Sequence, residues 1–322
     1  MATIRRYYSA LGLLAIALFG CEMEQEVEVP QHETKMALHL TLSNLGADAE
    51  KPYLNSKVFE IGKSQGVLQE SKTNDFHVKN ASIKIYDAAG QVVQEFKHYD
   101  YGQQDPQYAS YSYTYKEPFA FVPGHSYTLK VEAPGLKPIE ATTVLPSLPV
   151  VSNTGFSQAP PTDETGTWLI AGKLQLTLED APGKENYYRV VAFPLTENYG
   201  WYGGYAYAPW NDEVPFVEQD NLELGEVFTD ELYPSGKINF AVDILFGAEG
   251  YNPETQERLP HKYLEVHVQQ LSKDEYLYLK SAREQQQNEN NPFAEYINVH
   301  SNIKNGYGTF GSTAVTKIMI PL

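Results

Sequence analysis

Cysteine is almost absent from this chain. Among 322 residues there is one, Cys21. A single thiol cannot close an intramolecular disulfide, and it cannot supply the multi-cysteine sets that hold structural zinc. The sequence therefore excludes both kinds of cross-link, and the fold must depend on its hydrophobic core.

Positive charge is also scarce. The chain carries 24 Lys and Arg against 41 Asp and Glu, for a formal net charge of −17. Nucleic-acid-binding proteins neutralise phosphates with Lys and Arg, whereas an anionic chain repels phosphate backbones and anionic headgroups. The sequence therefore predicts no nucleic-acid partner.

Long apolar runs are missing, apart from one short stretch near the N-terminus. Arg5 and Arg6 precede an uncharged, leucine-rich stretch over 7–20. It is shorter than the roughly 20 residues that span a bilayer core. The pattern is typical of a secretory leader, and residues 18–21 resemble a lipobox with a bulky Phe19. We predict a lipoprotein signal peptide over 1–20, with an ordinary signal peptide and a chance cysteine as the alternative.

In this hypothesis Cys21 is the acylated first residue of the mature protein. Two or three acyl chains such as palmitate hold a protein in the membrane, at about 0.8 kcal/mol per buried methylene. Acylation would also consume the only thiol, which removes cysteine chemistry from the folded part. Alternating glutamates follow, so we expect residues 21–34 to form an extended acidic tether.

Strand signals dominate from Lys35 onward. Apolar and polar residues alternate over 36–42, a hairpin is expected around residues 87–90, and two further strands are expected at 127–132 and 139–145. Short strands separated by Pro and Gly predict an N-terminal immunoglobulin-like or transthyretin-like antiparallel sandwich over 35–147.

Prolines mark a change after this sandwich. Pro146, Pro149, Pro160 and Pro161 cannot extend a ladder, so we predict a Pro-rich linker over 148–167. Strand periodicity returns at 174–178, 188–192, 263–268 and 314–320. The fold class is therefore mainly β, with a second β-rich domain over 168–322.

One helix is predicted near the C-terminus, over about 272–287. Ser272 and Glu275 have the spacing of a capping box, in which the hydroxyl caps the Glu275 amide and the carboxylate reaches back. Tyr276, Leu279 and Ala282 form a short apolar stripe that is expected to pack on a sheet.

Aromatic residues are concentrated in one segment, which also holds three glycines. Tyr and Trp dominate protein interfaces, so we interpret this segment as a contact surface for a partner protein. Stacking on sugars by Trp201 and Trp210 and a lid packed on its own sheet are the alternatives. The aromatic residues are Tyr199, Trp201, Tyr202, Tyr205, Tyr207 and Trp210.

No catalytic or metal-binding pattern stands out. The chain has no HExxH pair, no Gly-x-Ser-x-Gly elbow and no Walker loop, and the spacings of His261 with His267 and of His77 with His98 lack a clear third ligand. Carboxylate pairs such as Glu179 and Asp180 are common in an acidic chain and are interpreted as solvated. We predict no enzyme activity, no metal and no cofactor. The alternative is a surface hydrolase, which would require two carboxylates facing a cleft.

The C-terminal part resembles a known family. The residues that carry the resemblance lie at 271–276 (LSKDEY), 291–295 (NPFAE), 301–308 (SNIKNGYG) and 310–311 (FG), and the N-terminal features agree. This pattern resembles the DUF4249 lipoproteins of Bacteroidetes. Within the motif, Gly306, Gly308 and Gly311 are expected in turns with positive φ, and Asn302 and Asn305 are expected to bond nearby backbone as a structural clasp.

The resemblance implies a location and a partner but no catalytic residue. Members of this family look like outer-membrane lipoproteins that face the surface or the periplasm, often encoded beside TonB-dependent transporters. The acidic residues after the lipidated cysteine resemble a surface-export signal, with a solvated linker as the alternative. We therefore expect a non-enzymatic lipoprotein, lipid-anchored in the outer membrane at the cell surface, that assists a TonB-dependent transporter or captures its ligand. A glycan- or peptide-binding surface module and an adhesion or envelope-assembly factor are the alternatives.

Overall fold

We analysed a computed structural model of the chain, which describes residues 32–46, 58–66, 76–99, 112–117, 119–161, 168–180, 183–197, 224–252, 255–288 and 297–322. The strands of the first half are β1 (Met36–Ser43), β2 (Val58–Glu60), β3 (Gly62–Lys63), β4 (Ser82–Tyr86), β5 (Val92–Tyr99), β6 (Ser112–Tyr115), β7 (Ser126–Glu132) and β8 (Ile139–Val144). Those of the second half are β9 (Val150–Gln158), β10 (Leu169–Glu179), β11 (Tyr187–Thr196), β12 (Val227–Thr229), β13 (Lys237–Gly247), β14 (Glu249–Tyr251), β15 (Arg258–Leu271) and β16 (Tyr307–Pro321). The helix α1 is Lys273–Asn288.

A seven-stranded sheet organises the fold. Its order is β12-β11-β15-β16-β1-β3, with β14 paired to β15. The N-terminal β1 runs parallel to β16, and β15 pairs with β16 in antiparallel register. The two predicted domains, 35–147 and 168–322, are thus joined through one sheet, and their boundary stays a prediction.

Two smaller sheets cover one face of this large sheet. A six-stranded sheet, β2-β6-β5-β4-β7-β8, packs on β1 and the first part of β16 around a core that includes Leu38, Leu40 and Phe310. A three-stranded sheet, β13-β10-β9, packs on β11, β15 and the last part of β16 around Val266 and Ile320. Two sandwiches therefore share the large sheet, and the predicted mainly β class is confirmed.

The helix packs on the opposite face of the large sheet. Side chains alternate between the faces of a strand, so Tyr187 points away from the core that holds Tyr188. The Tyr187 ring stacks on Tyr276 of α1 at a centroid distance of 4.6 Å. The predicted helix is confirmed, and so is its packing on a sheet.

Several local predictions are confirmed, and one segment differs. The hairpin of β4 and β5 turns at Gly90, whose φ is +77°. Within the predicted linker 148–167, however, β9 pairs with β10 along its length. Pro149 and Pro160 stand just outside this strand, where their missing N–H groups interrupt no ladder bond. No helix in the described ranges has both the length and the apolar character to cross a membrane.

Candidate functional site

The C-terminal motif, residues 301–311, contacts β16, β8 and β1. The Asn302 carboxamide donates to the Phe310 carbonyl at 2.9 Å and accepts the Phe310 N–H at 3.0 Å. Lys304 exchanges two backbone hydrogen bonds with Glu140 on β8. Gly308 has φ +95°, and a Cβ there would stand 2.0 Å from the Leu38 carbonyl oxygen. These contacts support the structural interpretation of the motif.

The three motif glycines do not all act as predicted. Only Gly308 has a positive φ, and it lies inside β16, as Gly311 does. Gly306 and Gly311 instead permit close approach: a Cβ on Gly306 would stand 2.8 Å from the Met36 carbonyl oxygen, and one on Gly311 would stand 2.0 Å from Glu275 Oε2. The prediction that all three glycines occupy turns with positive φ was wrong. The spacing of glycines in a sequence does not show which neighbouring atoms pack against them.

A buried polar cluster lies under the first turn of α1. The Glu275 carboxylate is buried, and its oxygens lie 3.2 and 3.3 Å from His39 Nε2. Thr41 donates its hydroxyl to Glu275 Oε1 at 2.9 Å. The ring of Tyr278 lies 4.3 Å from the His39 ring, and burial followed by the Glu275 charge raises the pKa of Tyr278. A carboxylate this buried is stabilised only when such partners surround it.

This cluster contains the residue types of a hydrolytic triad, but its geometry differs from one. In a triad the carboxylate and the nucleophile contact opposite nitrogens of the imidazole, so that the ring can pass a proton. Here Glu275 and Thr41 both contact Nε2 of His39. The cluster therefore cannot relay a proton between them, and it holds α1 against β1.

The predicted capping box is half right. Ser272 Oγ accepts the Glu275 N–H at 3.4 Å, as predicted, and also accepts the Ser312 N–H at 3.1 Å. The Ser272 N–H, however, donates to the Ser312 carbonyl at 2.8 Å. Because that donor is already satisfied by β16, the Glu275 carboxylate does not reach back and instead binds β1.

A second polar network joins the ends of β10, β11 and β12. Asn186 donates from Nδ2 to Asp180 Oδ1 at 2.8 Å and to Asp230 Oδ2 at 3.2 Å, and Tyr188 donates its hydroxyl to Asp180 at 2.6 Å. Burial has the largest effect on the pKa of Asp230 and raises it. The hydrogen bond from the Asn186 N–H lowers this pKa, whereas the adjacent Asp180 carboxyl raises it. Burial also raises the pKa of Tyr188, which keeps its hydroxyl a donor.

Asp180 and Asp230 both line a shallow cavity of about 330 Å³. Two carboxylates facing a cleft are the arrangement that would indicate a hydrolase. Glycosidase carboxyls stand roughly 5–9.5 Å apart across a sugar bond. Here the Asn186 carboxamide instead bridges the two side chains, donating to Asp180 Oδ1 and to Asp230 Oδ2, and Tyr188 donates its hydroxyl to Asp180. The network therefore connects the ends of three strands.

Two exposed aromatic side chains lie at one end of the second sandwich. We call Trp168 and Tyr251 the aromatic rim; they are 70% and 50% exposed. The Trp168 carbonyl accepts the Ala248 N–H, the Ala248 carbonyl accepts the His261 N–H, and His261 pairs with Thr196. The rim therefore lies at the end of the sheet where β11 finishes, just before the aromatic-rich segment begins.

The predicted lipidation and contact residues fall outside the described part of the chain. This applies to Cys21, to most of the tether 21–34, and to Tyr199, Trp201, Tyr202, Tyr205, Tyr207 and Trp210. Among the described residues, no group of three or more His, Cys, Asp or Glu is placed to hold a metal ion. His261 Nδ1 contacts the Gly247 carbonyl at 2.7 Å, and His267 pairs with Glu265.

A groove separates the outer edge of β12 from α1. We call it the edge groove; residues 226–229 line one side, and Tyr276, Lys280, Arg283 and Glu284 line the other, around a volume of about 380 Å³. Leu232 at its margin is 69% exposed. Arg283 forms an ion pair with Glu226 across the groove.

Sequence reasoning overlooked both the rim and the groove. Trp168 follows a Pro- and Thr-rich stretch, and the polar residues before it were the available signal that its ring is not in a core. The edge groove had no such signal, because it depends on α1 packing beside a strand that lies more than 40 residues earlier in the chain.

Comparison with known proteins gives a family and no function. The family model for DUF4249, a domain of unknown function, matches residues 52–319. No curated protein matches the chain. Among solved structures, a point mutant of Salmonella alpha-2-macroglobulin is similar at 8% identity and a TM-score of 0.21, over 92% of this chain and 15% of that one. That likeness is too weak to inform fold or function. Because the family match spans most of its length, the chain belongs to the DUF4249 family.

Proposed function

We propose that this protein is a non-enzymatic lipoprotein, anchored in the outer membrane at the cell surface, that serves a TonB-dependent transporter as an accessory or ligand-capture subunit. The leader, the lipobox-like residues 18–21 and the acidic tether support the anchor. The location beside a transporter rests on the resemblance of the sequence to the DUF4249 lipoproteins.

The aromatic rim carries the docking part of the proposal. Exposed Trp and Tyr rings each bring roughly 150–250 Å² of burial to an interface and are the residues most often found at interface hot spots. Trp168 and Tyr251 lie beside the end of β11, after which the aromatic-rich segment 199–210 follows. We place the contact surface at this end of the second sandwich.

A co-purification experiment tests the docking proposal. The tagged full-length protein is purified from mild-detergent extracts of outer membranes, and we expect a TonB-dependent transporter in stoichiometric amount. The Trp168→Ala/Tyr251→Ala double variant should lose that partner. Tyr307→Ala, which removes an exposed ring on β16, is the matched control and should retain it. Recovery of the wild-type protein alone, or of the same partner with the double variant, would contradict the proposal.

A sugar-binding module is the second candidate, and the exposure of Trp168 favours it. An indole face open to solvent is suited to stacking on the apolar face of a sugar ring. Titration of the full chain with glycan pools should then quench tryptophan fluorescence, and Trp168→Phe should remove part of that change. A pure accessory subunit would show no quenching with any pool.

A further inference from the structure

The strand β13 forms one edge of the three-stranded sheet, and it pairs with β10 without any shift in register. Gly236, just before β13, accepts the Asp180 N–H, and Ala248, just after it, donates its N–H to the Trp168 carbonyl. Backbone groups alternate in direction along an antiparallel strand. The even-numbered residues of β13 therefore face β10, and the odd-numbered residues point outward.

The last residue of β13 confirms this direction. The Gly247 carbonyl points away from β10 and accepts a hydrogen bond from Nδ1 of His261 at 2.7 Å. The odd-numbered residues from Lys237 to Leu245 point the same way. Within the described ranges, their backbone groups bond to no other strand.

The two edges of the three-stranded sheet differ in how they are protected. Next to β9, the other edge strand, lie Pro149 and Pro160, and the register of β9 with β10 shifts between Gln175 and Thr177. Proline and irregular register are devices that keep a sheet edge from pairing with another chain. The eleven residues of β13 include no proline and keep an even register, so this edge is a template for pairing.

The exposed face of β13 carries one lysine and one aspartate, and each has an opposite charge beside it on β10. Lys237 Nζ lies 3.5 Å from Glu179 Oε2, and Asp243 Oδ1 lies 3.8 Å from Lys173 Nζ. The side chains of Lys237 and Asp243 remain 63% and 68% exposed. Each can therefore accept a second partner on its outer side.

A second copy of β13 supplies that partner. Two identical strands that pair edge to edge in antiparallel orientation are related by a twofold axis. With the axis at Phe240, Lys237 of each copy lies opposite Asp243 of the other. Charge then alternates along a row across four strands, from β10 and β13 of one copy to β13 and β10 of the other. The row consists of Glu179, Lys237, Asp243 and Lys173.

Only this register brings opposite charges together. Moving the axis by one residue in either direction places Lys237 opposite Ala241 or Leu245, and both ion pairs are lost. The side chains that face the core agree with the same register. Val242 is only partly buried against the core of the second sandwich, and in this register it lies opposite the apolar Ile238 of the other copy.

We infer that the protein forms a symmetric dimer through β13, in which the three-stranded sheets of two copies join into one six-stranded sheet. Residues 237, 239, 241 and 243 of each copy exchange backbone hydrogen bonds, and the two Lys237–Asp243 pairs set the register. This inference stands apart from the aromatic rim and does not depend on the transporter.

Charge reversal followed by mixing tests the inference. Sedimentation of the full chain in mild detergent should show a dimer. Lys237→Asp and Asp243→Lys each place like charges opposite one another twice, so each variant alone should dimerise at least about tenfold more weakly, which is about 1.4 kcal/mol. An equimolar mixture of the two variants again pairs opposite charges across the axis, so it should dimerise at least about tenfold more tightly than either variant alone.

Two controls accompany the mixing experiment. Lys97→Glu reverses an exposed lysine on β5 and should dimerise as the wild type does. Both β13 variants should remain folded by circular dichroism, because exposed ion pairs contribute little to stability.

Amide exchange of the wild type provides a readout that needs no substitution. Raising the concentration through the dimerisation range should slow exchange at Asn239 and Ala241 and leave Phe240 and Val242 unchanged, since those two are already bonded to β10.

The inference is overturned if the wild type stays monomeric, if its dimer survives both single reversals, or if the mixture is no tighter than the separate variants. It is also overturned if exchange at Asn239 and Ala241 does not depend on concentration. Slow exchange at these two amides in a monomer would assign the edge to another part of the same chain.

Discussion

The side chain of Asn302 takes the place of a strand beside Phe310, bonding both its N–H and its C=O at 3.0 and 2.9 Å. On that side of β16 the partner strand β15 reaches only to Thr313, so Phe310 lies beyond its end. Asn44 does the same for Val315 at 2.7 and 3.1 Å, beyond the end of β1. Each asparagine extends a ladder past the end of a neighbouring strand.

Replacing Asn302 by alanine should therefore destabilise the fold. Phe310 is fully buried, so its N–H and C=O would lose their partners without gaining water. We expect the free energy of unfolding to fall by about 1–3 kcal/mol, measured by urea denaturation. Asn239→Ala removes an exposed amide that accepts one bond and should change stability by less than about 0.5 kcal/mol. Equal effects of the two variants would refute this role of Asn302.

Gly311 should not tolerate alanine. The new Cβ would stand 2.0 Å from Glu275 Oε2 and 2.8 Å from the Glu275 Cβ, so the first turn of α1 would have to move. Overpacking of this kind costs about 1–3 kcal/mol. Gly155→Ala on β9 is the matched control, because no atom lies within 4 Å of its added Cβ. A thermal melt of Gly311→Ala that coincides with the control would contradict the close packing.

Sequence patterns correctly predicted the features of the fold that depend on residues close together in the chain. The turn at Gly90 and the capping serine Ser272 depend on residues a few positions away, and both were predicted correctly. The parallel pairing of β1 with β16 joins residues more than 260 positions apart, and no periodicity indicates it.

The same distinction separates the contacts that were predicted from those that were not. Asn302 was expected to bond nearby backbone and does so within eight residues. The second partner of Ser272 is Ser312, 40 residues away, and the carboxylate of Glu275 binds residues of β1 more than 230 positions away. Prolines around β9 were interpreted as a linker, although proline beside an edge strand is equally compatible with a sheet.

Asp230→Asn should stabilise the protein at neutral pH. Burial raises the pKa of Asp230 above the ordinary value of 3.8, so the folded state holds this proton to higher pH than the unfolded state does. The protonated form of Asp230 therefore contributes its full stabilisation below the pKa of the unfolded state. This contribution is lost as the pH rises through the pKa of the folded state. An uncharged asparagine avoids that loss and keeps a side-chain oxygen that can accept the Asn186 N–H.

The check is urea denaturation of both proteins at pH 7 and near pH 4. The variant should gain stability over the wild type at pH 7, and the gain should shrink at the lower pH. Asp243→Asn serves as the control, since Asp243 is exposed and its ion pair with Lys173 is long, at 3.8 Å. A variant that is less stable than wild type at pH 7 would show that the ionised pair strengthens the fold.

Cys21→Ser should release the protein from the membrane. Each buried methylene of an acyl chain contributes about 0.8 kcal/mol to membrane residence, and serine cannot take a thioether-linked diacylglycerol. In cells fed an alkyne-labelled palmitate, wild type should be labelled and sediment with outer membranes, whereas Cys21→Ser should be unlabelled and soluble. Phe19→Ala alters the same stretch and keeps the thiol, so it should remain labelled. Protease treatment of intact cells should degrade the wild-type protein if it faces outward, and labelling of Cys21→Ser at the wild-type level would place the anchor elsewhere.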